Sequence, residues 1–292
     1  MSNSALFIGL GVMGYHMAGH LSKVLPTSVF NRSPDKAKKW LDQFEGSQVN
    51  DLNQTLHRFN FIITCIGNDH DLREIYLAEG GLLEHCQAGT TLIDHTTSSA
   101  SIAREIAEKA ELKGLNFIDA PVSGGEQGAI NGQLTVMCGG SQSAFNLAEP
   151  VMNHYAKAVT LLGSNGAGQL TKMSNQLAVA GVVQGLAEAI HFAEQAGLDC
   201  HQVIDVISKG AAQSWQMENR SSTMISAEYA HGFAVDLMRK DLNICLSEAR
   251  NLGAKLPVTA LIDQFYADIQ DMGGNRWDTS SLLERLRVKK TD

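Results

Sequence analysis

The sequence predicts an α/β domain with a doubly wound, mostly parallel sheet over residues 1–163, then an all-α domain over 164–292 entered through a long helix. Three observations predict this. Short apolar runs alternate with helical patterns up to about Gly163, as they do in a parallel sheet covered by helices on both faces. From Gly166 onward the apolar residues repeat only at helical spacing. A length of 292 residues also exceeds what one hydrophobic core usually holds.

The elements follow in order. ALFIG (5–9) is a short apolar strand closed by glycine, and VMGYHMAGHLSK (12–23) is a helix. TSVFN (27–31) is a strand, and PDKAKKWLDQF (34–44) a helix with proline in its first turn. FIITCIG (61–67) and TTLIDHT (90–96) are buried strands. SSASIAREIAEKAELKG (98–114) is a helix with serine at its cap and glycine at its end. LNFIDAPVSGG (115–125) is a strand running into a glycine-rich loop, and QLTVMCGG (133–140) another strand. Then 168–197 reads as one long helix, followed by helices at 201–210, 236–253 and 258–274, each ending in glycine.

Composition narrows the function. Hydrophobic content of 44% against 18% charged describes a packed globule rather than a disordered chain. The net charge of -8 argues against nucleic acid, whose binders carry a basic excess; the basic run RLRVKK (285–290) reads as a solvated terminal segment. Five scattered cysteines without a CxxC fit neither a disulfide framework nor a zinc site and suit a reducing cytoplasm. The start has no positively charged segment before its apolar run and does not read as a signal peptide. The uncharged stretch from Met173 to Ala187 is interrupted by Ser174, Asn175, Gln176 and Gln184. It reads as a buried helix, not a membrane span.

The first strand runs directly into Gly9-Leu10-Gly11-Val12-Met13-Gly14. GxGxxG alone is weak, but between a strand and a helix it has the context of a dinucleotide fingerprint. The first glycine permits the tight turn, the second lets backbone approach a pyrophosphate, and the third lets helix and strand pack closely. An NAD site usually places Asp or Glu about 20 residues on, against the ribose 2′-hydroxyl. Here Asn31-Arg32-Ser33 stands there instead. Without a carboxylate to repel a 2′-phosphate, and with a guanidinium to grip it, the site favours NADP, with NAD still open. Arg32 as a mere loop charge is the alternative.

GLGVMGYHMAGHL (9–21), DAPVSGG (119–125), GAGQLTKMSNQ (166–176) and RKDLN (239–243) occur in that order. Together they resemble the β-hydroxyacid dehydrogenase family, which includes 3-hydroxyisobutyrate dehydrogenases, tartronate semialdehyde reductases and glyoxylate/succinic semialdehyde reductases. The resemblance spans nearly the whole chain. It implies an N-terminal Rossmann-type domain, a helical C-terminal domain joined by a long helix, an active site in the cleft between them, and a homo-oligomer (dimer or tetramer). It implies Lys172 as the catalytic residue. Ser123, Gly124 and Gly125 would hold a substrate carboxylate, with Asn175, Phe233 and Asp241 also at the substrate. Cys65, Ile66, Thr96, Thr97 and Lys240 would lie along the cofactor. The sequence departs from the family where Gln176 replaces a second Asn, where DHTT replaces D-x-S-T, and where Cys65-Ile66-Gly67-Asn68 lacks a proline.

Lys172, Asn175 and Gln176 are spaced i, i+3, i+4 and share one helix face. A buried lysine is costly and its pKa falls, but it is tolerable where it meets a substrate oxygen. An ammonium there can stabilise the charge that develops when an aldehyde is reduced, and then deliver the proton. The expected function is therefore an NADP-preferring oxidoreductase interconverting a small semialdehyde acid and its β- or γ-hydroxy acid. An NAD-dependent 3-hydroxyisobutyrate dehydrogenase, an imine reductase and a redox-silent nucleotide-binding protein are the alternatives. His16 and His20 have a metal-like i, i+4 spacing but no third ligand, and read as surface histidines. His95 could reach the active site or fill a strand end. Asp69-His70-Asp71 reads as a helix cap, and Trp215 as a core or pocket-wall aromatic.

Overall fold

The computed structural model describes residues 3–52 and 55–287, so positions 288–290 of the basic run lie outside the described residues. The elements are β1 (Ala5–Ile8), α1 (Val12–Ser22), β2 (Thr27–Phe30), α2 (Pro34–Leu41), β3 (Ser47–Gln48), β4 (Phe61–Thr64), α3 (Asp69–Leu72), α4 (Leu82–His85), β5 (Thr91–Asp94), α5 (Ala100–Leu112) and β6 (Asn116–Asp119). These six strands form one sheet in the order β3-β2-β1-β4-β5-β6, with every pair parallel. This is the Rossmann-type order, whose direction reverses between β1 and β4.

The strands read as continuous apolar runs because both faces are buried. Successive residues alternate between two cores, as the two-residue period requires. Phe7, Ile63, Ile93 and Ile118 enter one core with Met17, Leu21 and Trp40. Leu6, Ile62, Leu92 and Phe117 enter the other with Leu72, Tyr76 and Ile106.

The 115–125 segment is not one strand. It breaks at Ala120-Pro121 and continues as β7 (Val122–Ser123), because proline has no N–H for the ladder. After α6 (Gly125–Ile130) come β8 (Leu134–Cys138), α7 (Gln142–Met152) and β9 (Ala156–Leu161). β7, β8 and β9 make a second, three-stranded sheet.

α8 (Ala167–Gln195) is the single long helix expected. It is followed by α9 (Cys200–Ile207), α10 (Trp215–Ile225), α11 (Val235–Leu252), α12 (Pro257–Asp271) and α13 (Leu282–Arg287). The chain divides into two compact units inside α8, one ending at Lys172 and the other beginning at Met173. In the second unit Ala180, Val183, Ala187 and Ile190 of α8 share a core with Met238, Leu242, Ile262 and Tyr266. α8 is long and apolar enough to cross a membrane by length and composition. That same apolar stripe is what it contributes to this core. α11 ends as expected, at Gly253 in the left-handed region (φ 70°).

His95 fills a strand end. Its Nδ1 lies 2.6 Å from the Ala120 carbonyl and its Nε2 2.9 Å from the Tyr155 hydroxyl. The carbonyl only accepts, so Nδ1 carries the proton and Nε2 accepts from tyrosine. Burial pushes the imidazole down to about 4. The unfolded chain therefore takes up this proton first as pH falls. The stabilisation from neutral His95 is present above about pH 6.5 and lost as pH falls through about 4, roughly 3 kcal/mol in all. Urea midpoints at pH 7 and 4.5 should fall further for the wild type than for His95→Gln. Equal acid sensitivity would remove His95 from the account.

Candidate active site

Every predicted cofactor residue of the first unit except Lys240, which belongs to the second, follows the C-terminal end of a strand. Gly9 follows β1, Asn31 follows β2, Cys65 follows β4 and Thr96 lies just past β5. Because the sheet is parallel, these ends share one edge, at the topological switch point where such sheets bind ligands.

The glycines of the first loop have different jobs. Gly9 has φ 99°, and a Cβ there would lie 2.2 Å from the Cys65 carbonyl oxygen. A Cβ on Gly14 would lie 2.0 Å from the Gly9 carbonyl oxygen. Packing accounts for both. A Cβ on Gly11, by contrast, would meet nothing within 4 Å, so the fold does not demand glycine there. Gly11 caps α1 without a side chain, and the first turn of α1, from Val12 and Met13, has no acidic residue. Helix N–H groups left in that state suit an anion. The loop thus fits a dinucleotide pyrophosphate.

Asn31 braces the loop: Leu10 N–H donates to its Oδ1 at 2.8 Å, and its Nδ2 donates to the Ser33 carbonyl at 3.1 Å. Arg32 projects outward with its side chain 90% exposed, and its Nη1 is 3.8 Å from Asp71. Ser33 caps α2 through its backbone, its carbonyl accepting the Lys36 N–H at 3.1 Å, with no side-chain bond to the helix. Ile66 N–H donates to Thr96 Oγ1 at 3.0 Å, and Thr96 N–H to buried Asp94 at 3.0 Å. Thr97 is half-buried beside them. The cap of α3 is Asn68, which accepts from the His70 and Asp71 N–H groups. Asp69 instead takes the N–H and hydroxyl of Ser99 at 2.8 and 2.5 Å.

Ser123 pairs with Thr135 in the small sheet. Gly124 and Gly125 have φ 133° and 63°, and a Cβ on Gly125 would meet nothing within 4 Å. Only glycine supplies such backbone at low cost.

Two residues that the sequence left without a role hold the head of α8. Asp119 ends β6 and is fully buried. It accepts from Gly166 N–H at 2.8 Å and Gln169 N–H at 3.1 Å. Burial pushes its carboxyl up to about 7, against the lowering effect of those donors and of Asn165. Gln169 accepts from Ser98 N–H at 3.0 Å and donates to the Thr96 carbonyl at 2.8 Å. Lys172 lies one turn further on, 7% exposed.

In the second unit, Asn175 Nδ2 donates to Gln176 Oε1 at 2.9 Å, and Gln176 Nε2 donates to Asp241 at 2.7 Å. Lys240 Nζ is 3.3 Å from the other Asp241 oxygen. Phe233 sits in a loop held by Asp278, which accepts the Phe233 N–H at 2.8 Å. A Cβ on Gly232 would lie 2.0 Å from that carboxylate. Asp278 carries the sequence signal of a cap, an Asp before Thr279-Ser280, but nothing in the sequence ties it to Phe233. Trp215 is half exposed with the Arg220 guanidinium 5.1 Å over its ring. His20 is tied to the Ala129 and Ile130 carbonyls rather than free on the surface. Among the described residues no cluster of three His, Cys, Asp or Glu could hold a metal.

Residues 5–163 match the family model for the NAD-binding domain of 6-phosphogluconate dehydrogenase. Residues 166–286 match that for the NAD-binding domain of NADP-dependent 3-hydroxyisobutyrate dehydrogenase. The chain is 55% identical over 286 residues to an oxidoreductase of Shewanella frigidimarina, covering 98% of each. It is 31% identical to 2-hydroxy-3-oxopropionate reductase of Escherichia coli, covering 97% of this chain and 96% of that one. The 3-hydroxyisobutyrate dehydrogenase of Mycobacterium tuberculosis, solved with L-serine, superposes with a TM-score of 0.89 at 28% identity, over 99% of this chain and 100% of that one.

Gly11 and Gly14 separate cofactor fit from folding. Gly11→Ala should lower the thermal midpoint by only about 2 °C, since alanine is poorer than glycine at an N-cap by about 1 kcal/mol or less, and weaken NADPH binding about tenfold or more. Gly14→Ala should lower the midpoint by several degrees. Calorimetry and fluorescence titration of NADPH read both. Undiminished NADPH affinity in Gly11→Ala would show that pyrophosphate does not approach this backbone.

Proposed function

This chain belongs to the β-hydroxyacid dehydrogenase family and is an NAD(P)-dependent hydroxyacid dehydrogenase, and from that premise we propose that it is an NADP-preferring semialdehyde reductase with Lys172 as general acid/base. Its substrate is a small semialdehyde acid, its product the β- or γ-hydroxy acid. The observation that carries the reading is Lys172 itself, buried on α8 one turn beyond the fixed head of that helix. Burying an ammonium is costly unless its charge is put to use, and a transition state that develops negative charge on oxygen uses it.

The bound dinucleotide supplies the hydride. The protein's part is to bind, orient and move one proton. Backbone N–H groups of Ser123, Gly124 and Gly125 hold the substrate carboxylate, since left-handed glycines turn such groups toward an anion. Lys172 stabilises the negative charge growing on the carbonyl oxygen, then donates its proton to that oxygen, leaving a hydroxyl and a neutral amine. In oxidation the amine takes the hydroxyl proton back. Asn175, Phe233 and Asp241 complete the substrate site, and Lys240 serves the cofactor.

The preference for NADP is supported by the end of β2. No carboxylate stands there, and Arg32 is exposed and able to grip a 2′-phosphate. Residues 1–163 are then the dinucleotide-binding domain, which also lends Ser123, Gly124 and Gly125 to the substrate, and 164–292 the substrate and self-association domain, which lends Lys240 to the cofactor. The oligomer is supported by one face of α8 that has Val182 and Phe192 exposed and a Cβ on Gly181 or Gly185 meeting nothing within 4 Å. A cytoplasmic setting is supported by five free cysteines.

Lys172→Ala should lower kcat by about 10²–10⁴ with NADPH affinity little changed. The assay follows NADPH oxidation with tartronate, methylmalonate and succinate semialdehydes and glyoxylate. Retained turnover would sink the mechanism. If the wild type reduces none of these while binding NADPH, the redox-silent reading takes its place. Arg32→Ala should raise KM for NADPH about tenfold and leave KM for NADH unchanged, as expected when one charge-assisted contact to phosphate is removed. A wild type that prefers NADH would instead make this an NAD enzyme.

A further inference from the structure

We propose that Gln176 is a positioning residue whose carboxamide, given a single direction by Asp241, holds Asn175 in one orientation for the substrate. The proposal rests on the semialdehyde reductase reading above.

A side-chain amide surrounded by neutral groups can face either way. Gln176 cannot, because one of its ends meets a carboxylate. Asp241 only accepts, so Gln176 must turn its Nε2 toward it, at 2.7 Å. That leaves Oε1 on the other side, where only a donor fits, and Asn175 provides Nδ2 at 2.9 Å. The direction set at Asp241 is therefore transmitted through the Gln176 amide to the amide of Asn175. Both Gln176 and Asp241 are nearly fully buried, at 3% and 2% exposure, so water does not offer an alternative partner that would let the amide flip. Lys240 Nζ, 3.3 Å from the second carboxylate oxygen, supplies the countercharge. In a low-dielectric setting such a chain of bonds strengthens when complete and is costly when broken.

The motif RKDLN and the Asn-Gln pair are thereby one device. Besides its own place in the proposed substrate site, Asp241 acts through Gln176, and the substrate feels that action as the orientation of Asn175.

The test exchanges the charge without changing shape. In Gln176→Glu two carboxylates face each other. In the double variant Gln176→Glu/Asp241→Asn, the new asparagine amide donates to the carboxylate introduced at position 176. That carboxylate still presents an acceptor to Asn175, and net charge is conserved. Steady-state reduction is measured at saturating NADPH with the aldehyde that the wild type turns over best. Gln176→Glu and Gln176→Met should raise the aldehyde KM and lower kcat/KM about tenfold or more, with the NADPH dissociation constant within about twofold of wild type, and the double variant should recover to within about threefold. A Gln176→Met enzyme with wild-type kcat/KM overturns the proposal, as does a double variant no better than Gln176→Glu. Should the wild type reduce no aldehyde, the reductase reading fails by itself. The relay is then read from side-chain amide NMR, where Asp241→Asn should disturb the Asn175 and Gln176 NH₂ signals together. An undisturbed Asn175 signal overturns it.

Discussion

A buried carboxylate at the head of a helix is the constraint from which the first unit's site is built. Asp119 closes β6 and takes the first N–H groups of α8, so the end of a sheet strand and the start of the long helix share one anchor. The price is severe local crowding. A Cβ on Gly139 would lie 2.7 Å from this carboxylate and one on Gly168 2.9 Å from it, which leaves glycine as the only residue that fits. Gln169 then ties the same turn to Thr96 and Ser98. Thr96 takes Ile66, and Asp94 takes Thr96 and Thr64. The C-terminal edge of β4, β5 and β6 is in this way one polar network, and Lys172 inherits its place from it. Removing a single member would leave buried donors without acceptors, the costly way to lose a hydrogen bond.

The second unit uses buried acids for the same purpose. Asp278 shapes the loop of Gly232 and Phe233 and is itself paired with Arg220 at 3.3 Å. Arg239, although part of a motif otherwise associated with the site, is a strut: it forks onto Asp263 at 3.1 and 3.2 Å and reaches Gln270. Two residues on, Asp241 faces Gln176. Carboxylates suit these tasks because they only accept, so every neighbouring N–H acquires a fixed direction. A hydroxyl or amide could satisfy the same donors but would leave the direction open.

The elements legible in the sequence are those whose causes are local. Strands buried on both faces show as apolar runs, the glycine loop shows by its spacing, and α8 shows by an uninterrupted periodicity that ends at Gly197. β9 is not legible, because Lys157 and Thr160 break its apolar pattern at the edge of a small sheet. α7 is hidden by Pro150 near its end. The first turn of α10 is polar apart from Trp215 and Met217. The candidate site was legible as a set of positions, but not as a set of contacts. Asp119 meets Gly166 across 47 residues, Gln169 meets Ser98 across 71, and His95 meets Tyr155 across 60. No periodicity or local propensity records such partners. Asp119 and Gln169 lie inside recognisable motifs that name no partner for them, and the contact of the second His95 nitrogen with Tyr155 is what ties that side chain to the strand end.

Asn31 joins the structural and electrostatic demands on the cofactor end of the fold. An aspartate at the end of β2 could also accept the Leu10 N–H, so that bond alone does not require an amide. The second bond does, because Nδ2 donates to the Ser33 carbonyl and a carboxylate has no proton to give. An aspartate would forgo that bond and leave the Ser33 carbonyl with the Lys36 N–H alone. The residue that best braces the glycine loop is therefore also one that places no negative charge beside the ribose. Arg32 follows it outward, its exposed guanidinium 3.8 Å from the partly buried Asp71, a weak pairing. A carboxylate at this position would repel a 2′-phosphate and could not donate to the Ser33 carbonyl, so the hydrogen bonding of this turn is compatible with the proposed preference for the phosphorylated dinucleotide.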